Sequence, residues 1–122
     1  MTTLNTYKWK GIEDMGAYTS DDFKNFTRLY RNMLKRMCKK NNWELVNFSM
    51  GHYYCSWFIK NDKGNHIYMS FADVRHFAKE WYNCILYRTA KHDRDYTGGS
   101  NWYTDLDNME CHLVQMFERS NW

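Results

Sequence analysis

Proline is absent from this chain of 122 residues, and glycine occurs only six times. Flexible linkers are rich in glycine and serine, and stiff ones are rich in proline, so the composition predicts neither kind. A chain of this length fits one domain with one core. We therefore expect a single domain over residues 1–122, with an irregular stretch at residues 1–18.

Long apolar runs are also missing, so no segment is predicted to span a membrane. The first residues, Met1-Thr-Thr-Leu-Asn-Thr-Tyr-Lys-Trp9, lack the apolar segment of a secretory signal peptide. Together these features favour a cytoplasmic protein, and no membrane partner is expected.

Metal-binding motifs are not found either. The four cysteines form no C-x-x-C, and the five histidines form neither H-E-x-x-H nor H-x-H. Widely spaced thiols in a reducing compartment are expected to be free. The sequence therefore predicts no metal, no cofactor and no disulfide.

Charge is distributed unevenly along the chain. Residues 1–42 carry nine Lys and Arg against four Asp and Glu, whereas residues 43–122 carry eight against ten. An excess of one sign in one part of a chain indicates a partner that carries the other sign, such as nucleic acid or an acidic protein surface.

A helix is predicted from about residue 20 to residue 41, with Thr19 or Ser20 as its N-cap. Apolar side chains recur along it at spacings of three and four, which is typical of a helix with one buried face. These side chains are Phe23, Phe26, Tyr30, Met33 and Met37.

The other side of this predicted helix carries cations, which we call the basic stripe. No acid interrupts the stripe, although solvated helices usually mix the two signs. Two interpretations stay open: a solvated helix face, or a surface that contacts nucleic acid phosphates or an acidic protein. The residues of the basic stripe are Lys24, Arg28, Arg31, Lys35, Arg36 and Lys39.

Four strands are predicted from short runs rich in aromatic and β-branched residues. Asn61-Asp-Lys-Gly64 is a turn signal that should join the second and third strands into a hairpin. Helices flanking such strands predict an α+β two-layer sandwich. In chain order it would consist of an N-terminal helix, an antiparallel sheet of about four strands and a C-terminal helix. The predicted strands cover 43–48, 52–60, 65–71 and 84–90, with a short helix at 74–81 and a last helix from Thr104 or Asp105 to about 119.

Both faces of the second predicted strand carry aromatic residues. Tyr53, Cys55 and Trp57 alternate with Tyr54, Ser56 and Phe58. We expect helices to cover one face of the sheet and the other face to be available for contact.

The segment 88–103 is the main candidate site, because loops on a rigid scaffold often carry functional groups. It combines cations, a histidine and large aromatic side chains between a predicted strand and a predicted helix. Arginine and large aromatic residues frequently act as interface anchors. The predicted partner-binding residues are Arg88, Lys91, His92, Arg94, Tyr96, Trp102 and Tyr103.

Two features of this segment each allow a catalytic or ligand-binding interpretation and a purely structural one. His92 beside Asp93 or Asp95 could act as a general base, but a single loop histidine is more often a surface residue. Thr97-Gly-Gly-Ser100 before a predicted helix could cradle an anion, or it could simply be a flexible turn. No catalytic signature is present, so we do not predict an enzyme.

Three segments carry a resemblance to known proteins: Gly51-His-Tyr-Tyr54, Ser70-Phe-Ala-Asp-Val-Arg75 and Leu86-Tyr-Arg-Thr-Ala-Lys-His-Asp-Arg-Asp-Tyr-Thr-Gly-Gly-Ser-Asn101. They resemble small accessory proteins of phages and conjugative elements, over about residues 43–117. Proteins of that setting include inhibitors of host defence, among them anti-CRISPR proteins. Many of these are non-enzymatic and work by occupying a nucleic-acid channel or locking an effector.

The resemblance implies a binding inhibitor of a host nucleic-acid-processing complex. Its partner would be an effector protein or ribonucleoprotein, with possible direct contact to RNA. An alternative that the residues leave open is a stand-alone module for RNA or single-stranded DNA, which would use the aromatic sheet face and the same cations. A small enzyme using the segment 88–103 is a third alternative.

Overall fold

The computed structural model describes residues 20–51, 53–72, 84–97 and 99–119. Within these ranges the chain forms two helices and five strands, in the order α1, β1 to β5, α2. The elements are α1 (Ser20–Lys40), β1 (Glu44–Met50), β2 (Cys55–Lys60), β3 (His66–Phe71), β4 (Ile85–Ala90), β5 (Trp102–Thr104) and α2 (Met109–Phe117).

Helix α1 confirms the helix expected at residues 20–41. It ends where the amide of Asn41 donates to the Cys38 carbonyl at 3.1 Å and the Asn41 side chain donates to the Met37 carbonyl at 2.9 Å. Asn42 then takes a positive φ of 59°, a conformation that asparagine tolerates better than most residues. The two asparagines therefore satisfy the last carbonyls of α1 and turn the chain into β1.

The five strands form an antiparallel meander in the order β1-β2-β3-β4-β5. The predicted turn at residues 61–64 joins β2 to β3. Asn61 stabilises it, because its Oδ1 accepts the amides of Lys63 at 3.1 Å and Asn65 at 2.8 Å. Gly64 lies at a φ of 84°, where a side chain would be strained.

The core lies between one face of the sheet and the two helices. Tyr30 of α1 is at its centre and makes edge contacts with Trp57 and Phe71, each at 5.4 Å between ring centroids. Its hydroxyl also lies 4.0 Å from the sulfur of Met109 at the start of α2. Aromatic pairs of this geometry contribute about 0.5–1.5 kcal/mol beyond their buried area. This cluster joins both helices to the sheet.

Strand alternation predicted which residues enter the core. Ile67, Met69 and Phe71 of β3 are buried on the helix side, as expected from their shared face. Ile85 and Tyr87 of β4 share that face too. The α+β sandwich is therefore confirmed.

Two details of the prediction were wrong. The sheet has five strands rather than about four, because Trp102–Thr104 pairs with β4 in the register Ile85↔Thr104. The last helix begins at Met109 instead of residue 104 or 105. Thr104 belongs to β5, and Asp105 caps a turn, since its Oδ1 accepts the amide of Asn108 at 2.8 Å. A strand of three residues is too short to show the alternation by which strands are recognised.

Several expectations lie outside the described residues. These are the irregular stretch at 1–18, the N-cap at Thr19 and the short helix at 74–81. Among the described residues, neither helix is long and apolar enough to cross a membrane.

The core predicts which thiols are reactive. Burial raises the pKa of Cys38 and of Cys55 to about 12, while Cys111 is exposed. Because the thiolate is the nucleophile, we expect iodoacetamide to alkylate Cys111 in the native protein and to leave Cys38 and Cys55 unmodified. Peptide mass spectrometry after a timed reaction measures this. Unfolding in guanidinium is the control and should expose all the thiols; equal rates for Cys38 and Cys111 in the native protein would contradict the packing.

Candidate functional site

The sheet face opposite the helices, which we call the open face, is partly covered by the loop 91–101. Tyr96 of this loop packs edge-on against Phe58 at 5.4 Å and against Tyr68 at 5.6 Å between ring centroids. Phe58 is completely buried, although its side chain lies on the side away from both helices. The loop therefore has a packed foundation on the open face.

Asn47 of β1 fixes the position of this loop. It has a positive φ of 51° and lies in an irregularity of β1 between Val46 and Ser49. Its side-chain amide donates to the Asp93 carbonyl at 2.7 Å and to the Tyr96 hydroxyl at 3.1 Å. A β-bulge redirects a side chain out of the regular pattern. Here it lets one residue of an edge strand hold two points of a distant loop.

Arg88 holds the same loop from β4. Its guanidinium carbon lies 4.5 Å from the centre of the Tyr68 ring, a cation–π distance. Its Nη1 donates to Oδ1 of Asn101 at 3.0 Å, and its Nη2 donates to the Tyr96 carbonyl. The predicted partner-binding residue Arg88 therefore uses its guanidinium within the protein, at the middle of the loop and at its C-terminal end.

Short-range hydrogen bonds order the tip of the loop. The carboxylate of Asp95 accepts the amide of Lys91 at 2.9 Å and the amide of Thr97 at 3.2 Å. Nδ1 of His92 accepts the amide of Arg94 at 3.1 Å. The donors of these bonds are backbone amides, and the acceptors are the Asp95 carboxylate and the His92 ring nitrogen. The side chains of Lys91, His92 and Arg94 are exposed to solvent.

Gly99 lets the loop return close to β4. Its φ is 73°, and a Cβ there would lie 2.8 Å from the carbonyl oxygen of Thr89. The anion cradle proposed for residues 97–100 assumed that a helix follows them. That assumption was wrong, because β5 follows, and Gly99 serves the close approach of two backbone segments.

A groove of about 440 Å³ runs along the open face beside the loop. Tyr54 and Tyr96 border it and are 47% and 48% exposed. The groove combines aromatic rings with hydroxyl groups, and a further hydroxyl pair lies nearby, where the Oγ atoms of Ser49 and Ser56 are 3.0 Å apart. Tyr54, Ser56, Tyr68, Ser70 and Tyr96 line it.

The structure separates the two aromatic residues that end the predicted site. Trp102 pairs with Tyr87 and lies on the helix side, where the guanidinium of Arg119 is 5.4 Å from its ring. Tyr103 pairs with Leu86 on the open face and is 52% exposed. Tyr96 and Tyr103 therefore share one face of the sheet with Arg88, whereas Trp102 belongs to the other.

The basic stripe lies on α1, and all six of its side chains are exposed. Because α1 packs on the helix side of the sheet, the stripe and the open face belong to different sides of the protein. One flank of the stripe touches the sheet edge, where the guanidinium of Arg31 is 5.4 Å from the Phe48 ring. Lys40, next along the helix, is 3.6 Å from Glu110 of α2.

Two histidines of the described ranges lie beside polar or charged groups. Burial lowers the pKa of His66, and nearby Lys60 lowers it further, whereas Asp93 acts in the opposite direction. His112 has Nδ1 2.7 Å from Oγ1 of Thr104 and stacks on Tyr87. Over the ranges that the structure describes, no three His, Cys, Asp or Glu side chains are placed to hold a metal ion.

Sequence reasoning missed part of this site. Alternation along β2 placed Tyr54, Ser56 and Phe58 on one face, and a contact role was expected there. Asn47 was not found, since a residue in a bulge departs from the alternating pattern by which strands are interpreted. Comparison with family models, curated proteins and solved structures gave no match to this chain.

Substitution of Arg88 should lower the stability of the protein more than substitution of Arg94. Arg88→Gln removes the hydrogen bonds to Tyr96 and Asn101, and we expect it to lower the free energy of unfolding by about 1–3 kcal/mol. Arg94→Gln is the matched control, because its side chain is exposed, and it should cost less than about 0.5 kcal/mol. Urea unfolding followed by tryptophan fluorescence measures both. Equal stability of the two variants would show that Arg88 does not hold the loop.

Proposed function

We propose that this protein is a non-catalytic binding protein that blocks a host nucleic-acid-processing complex, in the manner of anti-CRISPR proteins. It would act in the host cytoplasm, on an effector protein or ribonucleoprotein. The open face and its loop would form the contact with a protein subunit of that complex. The observation that carries the proposal is the group of half-exposed tyrosines on the open face, of which Tyr96 packs on Phe58. These are Tyr54, Tyr96 and Tyr103.

The hydrogen bonds that hold the loop in place support a contact role for this surface. Asn47 and Arg88 fix the loop, and Asp95 fixes its tip. A surface that is already in its binding conformation loses little conformational entropy when a partner arrives. Tyrosine adds a large amphipathic contact area with few rotatable bonds, which is why binding surfaces are rich in it.

The chemistry of the open face favours a protein as the partner. Tyrosine, serine and asparagine with an exposed arginine are typical of protein-binding surfaces. The charges around the loop are of both signs, since Lys91 and Arg94 lie beside Asp93 and Asp95. A groove for nucleic acid would instead be expected to be predominantly positive.

The blocking action comes from the resemblance to accessory proteins of phages and conjugative elements. In that class, inhibition commonly follows from occupation of a functional surface. A small rigid domain fits such a steric mechanism, because it needs an anchor and bulk rather than reactive groups. The half-exposed tyrosines of the open face would supply such an anchor.

Binding of single-stranded RNA or DNA on the open face is the second candidate. One observation favours it: the groove of about 440 Å³ is bordered by half-exposed tyrosine rings, on which bases can stack. Such binding would occur with naked nucleic acid and would weaken as Tyr54 is removed. A protein partner would be bound equally well after nuclease treatment.

Substitutions on the open face and in its loop test the proposal. Arg94→Ala and Tyr54→Ala should each reduce the affinity for the captured complex at least about tenfold, because the loss of an interface anchor commonly costs about 2 kcal/mol. His92→Ala should have a smaller effect, since we assign it contact and no chemistry. The complex is captured from a nuclease-treated lysate of defence-competent cells, and affinities are measured by biolayer interferometry on the purified complex.

Tyr96→Phe is the control for the fold, because it keeps the ring that covers Phe58 and loses only the hydroxyl that accepts from Asn47. If Arg94→Ala and Tyr54→Ala both kept wild-type affinity, the open face would not form the contact. If His92→Ala abolished the blocking of the complex while its affinity stayed unchanged, an enzyme would replace the inhibitor as the interpretation.

A further inference from the structure

We propose that the basic stripe of α1 binds the sugar-phosphate backbone of a nucleic acid strand. This second contact goes beyond the proposed protein contact and does not depend on it, because the stripe and the open face lie on different sides of the sheet. The occupant would be an RNA or DNA strand, recognised through its phosphates and not through its bases.

The composition of the exposed side of α1 is the main observation. From residue 24 to residue 39, every exposed side chain is lysine, arginine or asparagine. All of these donate hydrogen bonds, and none is apolar or acidic. The exposed residues are Lys24, Asn25, Arg28, Arg31, Asn32, Lys35, Arg36 and Lys39.

This composition favours phosphate over an acidic protein surface. Protein interfaces bury an apolar or aromatic centre surrounded by polar groups. The stripe has no such centre, whereas arginine and lysine side chains are the usual ligands of phosphate oxygens. Asparagine amides at two positions between the cations add neutral donors to the same oxygens.

The arrangement of the cations also indicates a linear, negatively charged partner. Lys24, Arg28, Arg31, Lys35 and Lys39 follow one another at spacings of three and four, so they form a row about 22 Å long at a rise of 1.5 Å per residue. Neighbours in this row repel one another, which disfavours an isolated helix. Within the parts of the chain that the structure describes, no carboxylate lies within ion-pair distance of the row. A polyanion along the row would relieve that repulsion.

Most of the cations remain available for such a partner. Arg31 touches the Phe48 ring, but it is exposed. Lys40, which does not belong to the stripe, is directed to Glu110. Glu110 is buried and also accepts the Asn41 amide at 2.6 Å, so this acid belongs to the junction of the helices.

Salt dependence of binding tests the proposal directly. The probe is a fluorescein-labelled oligouridine of about 20 nucleotides, titrated with the intact protein between about 50 and 200 mM salt. Binding by the row should give a steep negative slope of log K against log salt. Arg28→Gln/Lys35→Gln removes two phosphate contacts and should reduce the magnitude of that slope by about 1.4, at about 0.7 per contact for a single strand.

The matched control is Lys60→Gln/Lys63→Gln, which removes the same net charge from the hairpin of β2 and β3 instead. It should keep the wild-type slope to within experimental error. Circular dichroism melting of both variants checks that neither change unfolds the domain.

Three results would overturn the inference. The first is no measurable binding of the oligouridine at low salt, and the second is an equal loss of slope in both double variants, which would indicate net charge alone. The third is preferential binding of polyglutamate over the oligouridine, which would assign the stripe to an acidic protein. None of these results depends on the captured complex, so failure here leaves the contact through Arg94 and Tyr54 to its own test.

Discussion

The packing of Tyr30 against Trp57 and Phe71 is the interaction on which the rest of the structure depends. These rings bring α1 onto one face of the sheet, and the Tyr30 hydroxyl reaches Met109 of α2. A sheet covered by helices on one side must either expose its other face or cover it with something else. The loop 91–101 covers part of it, by placing Tyr96 on Phe58.

This division of the sheet separates two kinds of surface. The open face has tyrosines, serines and charges of both signs around an ordered loop. Between residues 24 and 39, the exposed side chains of α1 are all lysine, arginine or asparagine, and most of them are positively charged. The first composition is typical of protein contact and the second of phosphate contact. On the two proposals made above, the domain would hold a protein subunit on one side and a nucleic acid strand on the other.

Much of the fold was predictable, because the buried face of a helix or a strand gives a regular spacing of apolar residues in the sequence. The spacing of Phe23, Phe26 and Tyr30 indicated α1, and alternation in β2, β3 and β4 indicated the buried face. The hairpin at residues 61–64 followed from turn residues with known backbone preferences. The three-residue strand β5 was not predictable, since it depends on pairing with β4. The late start of α2 was not predictable either, since it depends on a local turn at Asp105.

The sequence by itself determined the elements, the buried faces and the one-signed character of the basic stripe, because each is a matter of local periodicity and composition. The tertiary structure decided which residues meet. It directed Arg88 inward to Asn101 and Tyr96, brought Asn47 to the loop and placed Trp102 and Tyr103 on opposite faces of β5. These contacts join residues far apart in the chain. They depend on strand register and on a bulge, neither of which can be predicted from the local sequence pattern.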